Sequence, residues 1–158
     1  MTELQLADRR FTIERATASD VPGLVALLAD DSIGAARESP DLAPYLTAFR
    51  EIDADPHQYL AAVRDESGDL VAMLQLTVIP GLARAGAKRL QIEAFRVSSS
   101  TRGTGLGTAL MEWAAAHGAA RGATLAQLTS DKQRVDAHRF YERLGYAASH
   151  EGFKRPLG

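Results

Sequence analysis

Between Ser100 and Trp113 the chain reads STRGTGLGTALMEW, with Gly103, Gly105 and Gly107 inside five positions, directly ahead of a helical run. Glycine weakens helices, so three of them at a helix start mark a backbone that must turn sharply or be approached closely. The preceding LQIEAFRV (Leu90 to Val97) reads as a strand, and Leu106, Ala109, Leu110, Trp113 and Ala116 recur at helical spacing after it. Strand, glycine turn and helix N-terminus together make an anion site, because free backbone N–H groups and the positive end of the helix dipole converge there. Phosphate is the usual guest. Two common phosphate loops are excluded by spacing: counted from Gly103, both the Walker loop and the dinucleotide fingerprint demand glycine where Thr108 stands.

Any anion must be held locally, because the 158 residues carry a net charge of −2 and lack the basic excess of a nucleic-acid-binding chain. The absence of cysteine removes disulfides, thiolate metal sites and a thiol nucleophile. The N-terminal MTELQLADRRF has no apolar core of the secretory kind, and no window approaches the roughly 20 apolar residues that span a bilayer. Residues 1–158 are therefore expected to form a single cytoplasmic domain without nucleic-acid or membrane partners.

Along the chain, FTIERA (Phe11 to Ala16) alternates as a short strand, followed by a helix with Ser19 or Asp20 as N-cap and Leu24, Leu27 and Leu28 at helical spacing. A turn-rich insertion, DSIGAARESPDLAP, precedes a helix with Tyr45, Leu46, Phe49 and Ile52 on one stripe. QYLAAVR and LVAMLQLTVIPG read as a hairpin, and the loop LARAGAK leads into LQIEAFRV. After the glycine stretch come a strand, ATLAQLTS, and a helix, RVDAHRFYERLG, stopped by Gly145 at C′. YAASHEGFKRP is expected to close the chain as one or two short strands. The class is α/β or α+β, one sheet covered by helices.

What remains in the glycine stretch is Arg-x-x-Gly-x-Gly at Arg102, Gly105 and Gly107, and one strand later stands DAHRFYERLGY, Asp136 to Tyr146. In these two motifs the chain resembles the GCN5-related N-acetyltransferase (GNAT) superfamily. DAHRFYERLGY with the terminal SHEGFKR resembles, more narrowly, the aminoalkylphosphonate N-acetyltransferases. The resemblance implies a central mixed, mostly antiparallel sheet of six to seven strands flanked by about four helices. It implies acetyl-CoA as co-substrate, no metal, a small-molecule amine as acceptor, and a possible homodimer.

By that resemblance the backbone from Arg102 through Gly103, Thr104, Gly105, Leu106, Gly107 and Thr108 would face the pyrophosphate, with Phe95, Arg96 and Val97 along the pantetheine arm. Where many relatives carry an asparagine that touches the cofactor, this chain has Arg134; Arg134, Lys132 or Arg139 would meet a phosphate or simply be solvated charges. Tyr141 matches the family tyrosine that protonates the departing thiolate, although Ala137, Phe140, Tyr141 and Leu144 also form one apolar stripe that would bury the ring as core. Glu93 interrupts an apolar strand; it is either the base, with a raised pKa if partly desolvated, or a surface carboxylate. His138 or His150 would serve as an alternative base, whereas His57 and His117 read as loop and helix-end residues.

The acceptor pocket is expected from Asp31 to Ile52, from the loop Pro80 to Lys88 and from the last strands. Those segments hold Arg37, Arg50, Arg84 and Lys88 beside Glu38, Asp41 and Glu51, so the acceptor's charge stays open. Two other function classes fit parts of the pattern: a catalytically silent acyl-CoA-binding sensor, and a phosphate- or nucleotide-binding regulatory module using the glycine turn alone.

Overall fold

A computed structural model describes residues 1–30 and 32–157. Asp31, where the expected acceptor-shaping insertion begins, lies outside the described residues. Six strands form one sheet in sequence order: β1 (Thr2–Leu6), β2 (Arg9–Arg15), β3 (Gln58–Asp65), β4 (Leu70–Ile79), β5 (Lys88–Val97) and β6 (Ala123–Leu128). The first four pairings are antiparallel and β5 with β6 is parallel. A parallel pair needs a crossover, and the helix after the glycine stretch supplies it. The helices are α1 (Val21–Leu28), the single turn α2 (Ser32–Ala35), α3 (Ala43–Ala54), α4 (Leu106–Ala119) and α5 (Val135–Arg143). This is the mixed, mostly antiparallel sheet that the motifs implied.

Strand alternation divides the core between the two faces of the sheet. One face sets Ile13, Val63, Leu74, Leu76, Leu90 and Ile92 against Leu106, Leu110, Met111 and Ala114 of α4. The other packs Leu60, Ala62 and Met73 against Val21, Leu24 and Leu27 of α1 and Phe49 of α3. The buried stripe of α4 is thus rotated from the expected one: Ala116 is exposed, while Gly118 sits where a Cβ would come within 2.9 Å of Leu90.

At the entry to α1, Asp20 does precede the helix, but its carboxylate turns back to the backbone N–H of Thr17, 2.8 Å away, and pairs with Arg64. The N-terminal residues join the sheet as an edge strand, with Leu4 and Leu6 on the core. At the other end, residues 147–157 form no strand, contrary to expectation, although Gly145 ends α5 as foreseen. Its φ is +84°, and the bonds Gly145 N–H to Glu142 O (3.0 Å) and Tyr146 N–H to Tyr141 O (3.1 Å) make a Schellman cap.

The last turns of α4 meet β3 through three rings: His117 lies 4.7 Å from Tyr59 and 5.1 Å from Trp113, centroid to centroid. Burial, reinforced by the charges of Arg121 and Arg15, pushes the imidazole from its ordinary 6.5 down to about 4. The folded chain therefore keeps His117 neutral where the unfolded chain takes up a proton, so stability drops as pH falls from 6.5 towards 4. With the ring only half-buried, this contribution is about 1–2 kcal/mol. Chemical denaturation across that window is expected to show a shallower pH dependence for His117→Phe than for the unaltered chain; equal slopes would remove His117 as the source.

Candidate active site

The site begins with an irregularity between β4 and β5. Met73 pairs with Arg96 and Gln75 with Glu93, so Leu74 faces two residues, and the extra one, Ala94, takes φ +50°. This bulge resets the alternation of β5. Glu93 and Ala94 both fall on the face packed by α1 and α3, and Phe95 and Val97 return to the face packed by α4. On its other side β5 loses its partner: the parallel ladder with β6 ends at Ile92 opposite Leu128, and Glu93–Val97 run on beyond it. The sheet opens there, leaving a backbone edge of the kind to which an extended ligand adds as a half-strand.

The chain leaves β5 through a 3₁₀ turn (Ser99–Thr101) and enters the glycines at the mouth of this opening. Gly103 and Gly105 take φ +80° and +83°, conformations that a Cβ disfavours. Gly107 has no such constraint; a Cβ there would meet Phe140 at 3.5 Å, in ordinary contact. Thr104 fastens the turn, its hydroxyl donating to Thr101 O (2.7 Å) and accepting from Leu106 N–H (3.3 Å). The first helical bond of α4 is from Ala109 N–H to Gly105 O. Among the described residues, the N–H groups of Gly103, Gly105, Gly107 and Thr108 make no hydrogen bond within the protein. Four free donors and the positive end of a fourteen-residue helix therefore converge on one place.

A cleft of about 400 Å³ lies over them, lined by Phe95, Val97, Arg102, Gly103, Gly105, Gly107, Thr108, Phe140 and Arg143, with buried Thr101 and Leu106 as its floor. Of the residues expected here, Thr104 serves to fix the turn. Arg96 lies on the opposite face of the sheet, its guanidinium donating to Phe95 O at 2.9 Å. Lys132 is exposed, and exposed Arg139 approaches Asp136 at 3.9 Å; neither lines the cleft. The cation that α5 brings to the cleft is Arg143. It is not among the residues that the sequence singled out; the signal available was its helical spacing, three residues after Phe140, whose ring stacks on Phe95 with centroids 6.2 Å apart.

Tyr141 packs edge-on against Phe140 (5.3 Å) and Tyr146 (6.1 Å), in the cluster that also holds Phe95 and Val97. Burial raises its pKa above the ordinary 10, and the charges of Arg96 and Arg134 pull the other way. The phenol is therefore a protonated group at neutral pH in a cationic setting. Glu93 is exposed, which meets the surface reading and not the partly desolvated one, and it faces the α1/α3 side of the sheet beside Gln75.

His138 is half-buried one turn before Tyr141, with Nε2 2.9 Å from Asp131 O. A carbonyl only accepts, so Nε2 carries the proton. His57 and His150 are exposed, and His117 lies about three turns along α4 from the glycines. The insertion reaches this region through Arg37, which pairs with Asp131 at 2.9 Å; the hydrogen bond from Gln133 N–H, and after it this contact, hold the Asp131 carboxyl below its usual range. Glu38 accepts from the Tyr45 hydroxyl at 2.7 Å. Arg50, Asp41 and Glu51 are exposed. The loop Pro80 to Lys88, with Arg84 in a left-handed turn, sits at the other end of β5, about 30 Å along the strand from Val97.

A family model described as the acetyltransferase (GNAT) family matches residues 23–146. An aminoalkylphosphonate N-acetyltransferase of Salmonella typhimurium is 30% identical over 146 residues, 92% of this chain and 90% of that protein. Among solved structures, a protein of Bacillus halodurans named as a transcriptional regulator is 43% identical, with a TM-score of 0.88 over 93% of this chain and 99% of its own. The glucosamine-6-phosphate N-acetyltransferase of Arabidopsis thaliana, at 22% identity, shares the fold with a TM-score of 0.77 over 94% and 99% of the two chains.

The two glycine roles separate experimentally. Gly105→Ala, at φ +83°, is expected to lower the unfolding free energy by about 1–2 kcal/mol. Gly107→Ala, with room for its Cβ, is expected to stay within about 0.5 kcal/mol of the unaltered chain or to gain stability. Denaturant titration of both variants checks this, and equal losses would contradict it.

Proposed function

The chain belongs to the acetyltransferase (GNAT) family and is an N-acetyltransferase; from that premise we propose that it transfers the acetyl group of acetyl-CoA to the primary amine of a small molecule. Residues 1–158 act as one domain, in the cytoplasm, where this donor is made and used. The observation that carries the reading is the set of four free N–H groups at the start of α4, beside the unpaired end of β5. A pyrophosphate needs donors and positive potential in one small volume, and the glycines leave its approach clear. Arg102 and Arg143 flank the cleft and add full positive charges. Phe95, Arg96 and Val97 offer the pantetheine amides a strand edge, with the Phe95 and Phe140 rings as its apolar side.

The thioester supplies an activated acetyl group, and the remaining chemistry is proton movement by the chain. An amine attacks the acetyl carbon only when neutral, so a base must take its proton. Glu93, exposed at the bulge on the α1/α3 face, does so through water. The carbon–sulfur bond breaks as the carbon–nitrogen bond becomes an amide, and the departing sulfur takes the proton of Tyr141 Oη. A phenol held above its ordinary pKa is protonated at working pH, and Arg96 and Arg134 stabilise the phenolate left behind. These transfers balance within one complex of enzyme, donor and acceptor, and need no thiol.

The same two arginines favour an acceptor that carries an anionic group near its amine. That preference agrees with the activity for which the Salmonella relative is named. The name of the Bacillus halodurans structure keeps a second reading in view, a silent sensor that binds acyl-CoA without transfer. Release of free thiol from acetyl-CoA across a panel of aminoalkylphosphonates, amino acids, polyamines and peptide N-termini separates the two. Turnover with the anionic amines above the polyamines is expected. No thiol release with any amine, from a chain that binds the donor, would establish the sensor instead.

For the acid, Tyr141→Phe is expected to cut kcat by about 10²–10⁴-fold with little change in donor affinity. The alkaline limb of the kcat profile, where the acid loses its proton, is expected above pH 10 and to vanish in the variant. An unchanged kcat would remove Tyr141 from that role.

A further inference from the structure

Asp131 ties the insertion to the turn that opens α5. The parallel ladder ends with Leu128 opposite Ile92, and Asp131 follows three residues later, at the lip of the opening beside Glu93–Val97. Its carbonyl accepts from Arg134 N–H (3.0 Å) and from His138 Nε2 (2.9 Å), and its Oδ1 accepts from Gln133 N–H (3.1 Å). The other carboxylate oxygen receives Arg37 at 2.9 Å, from 94 residues away in the sequence. Arg134 lies within electrostatic reach of both that carboxylate and the Tyr141 phenol. Through Asp131, Arg37 thus joins the cationic group around Tyr141.

Stability gives little reason for this pair. The Arg37 side chain is 59% exposed and that of Asp131 28%, and an ion pair so open to solvent adds little to folding. The turn into α5 keeps its three other bonds to Asp131 without it. Glu38, the neighbouring carboxylate, is withheld from Arg37: it accepts from the Tyr45 hydroxyl (2.7 Å), which in turn accepts from Ser39 N–H (2.8 Å). A bond from Arg37 N–H to Gly34 O (2.8 Å) fixes the backbone, so the side chain can change partner while the insertion keeps its path. A guanidinium meets a phosphonate or carboxylate best through two parallel bonds, and Asp131 receives one. We infer that Arg37 recognises the anionic group of the amine acceptor, and that Asp131 occupies its guanidinium until that group arrives. The exchange trades one anion for another at a single cation, with no covalent change, and Asp131 retains the Gln133 N–H. Calling that ligand an acceptor rests on the proposed acetyl transfer, so binding is read apart from turnover.

Calorimetric titration of 2-aminoethylphosphonate into the chain, alone and with coenzyme A, measures the binding; thiol release from acetyl-CoA measures turnover. Arg37→Gln is expected to weaken phosphonate binding by about 10–100-fold, the loss of charge-assisted hydrogen bonds. Coenzyme A affinity is expected to stay as it is, and any turnover to suffer in the KM for the phosphonate more than in kcat. Asp131→Asn keeps an acceptor for Gln133 N–H and removes the competing charge; it is expected to tighten phosphonate binding by about 2–5-fold. That gain is expected to vanish when Arg37→Gln is present as well, because the two residues act on one exchange. Arg37-dependent binding without thiol release would remove acetyl transfer and leave this recognition standing. Four results would each overturn it: no phosphonate binding by the unaltered chain, equal affinity in Arg37→Gln, an equal loss of coenzyme A and phosphonate affinity in that variant, or an undiminished Asp131→Asn gain in the absence of Arg37.

Discussion

The site depends on where β5 stops pairing. Had the parallel ladder with β6 continued to Val97, the last residues of β5 would be an interior strand with no free edge. The ladder ends at Ile92. One bulged residue, Ala94, then turns Phe95 and Val97 back to the α4 side and leaves Glu93 on the other. The bulge thus assigns apolar contact to one face and an exposed carboxylate to the opposite one. The strand's end also delivers the chain to the glycine turn, so the unpaired edge and the N-terminus of α4 arise from the same few residues.

Local charge does what net charge does not. A chain of net charge −2 offers no general attraction to anions, yet the first turn of α4 concentrates free N–H groups where helix geometry leaves them without partners. Two arginines stand beside these groups: Arg102 from the loop and Arg143 from the last turn of α5. A second cationic setting, Arg96 with Arg134, surrounds Tyr141, whose own burial opposes ionisation. Burial keeps the phenol protonated, and the arginines limit what losing that proton costs.

Much of this was legible because it follows from local rules. Glycines at positive φ, a left-handed Gly145 after α5, and a strand followed by a helix are all imposed by backbone sterics, and those leave residue types behind. The bulge leaves no such trace: an alanine occupies a position where glycine would have announced the turn, and the alternation of LQIEAFRV conceals the extra residue. The side chains that the bulge redirects are those after it, Phe95 and Val97, which return to the α4 face where plain alternation from Ile92 would set Phe95 opposite. Phe140 and Arg143 meet the cleft only through the packing of α5 on β5, a tertiary fact that helical spacing hints at and does not state. The segment 147–157 forms no strand; its Gly152 and Pro156 and its lack of β-branched residues were the signals against one.

Titration of acetyl-CoA into the chain by calorimetry tests most directly whether the glycine turn and the free end of β5 hold the donor. One saturable binding event per chain is expected, and it should be lost in Gly107→Leu, whose side chain would enter the cleft between Phe95 and Phe140. Absence of saturable heat with the unaltered chain, or equal affinity in the variant, would contradict it.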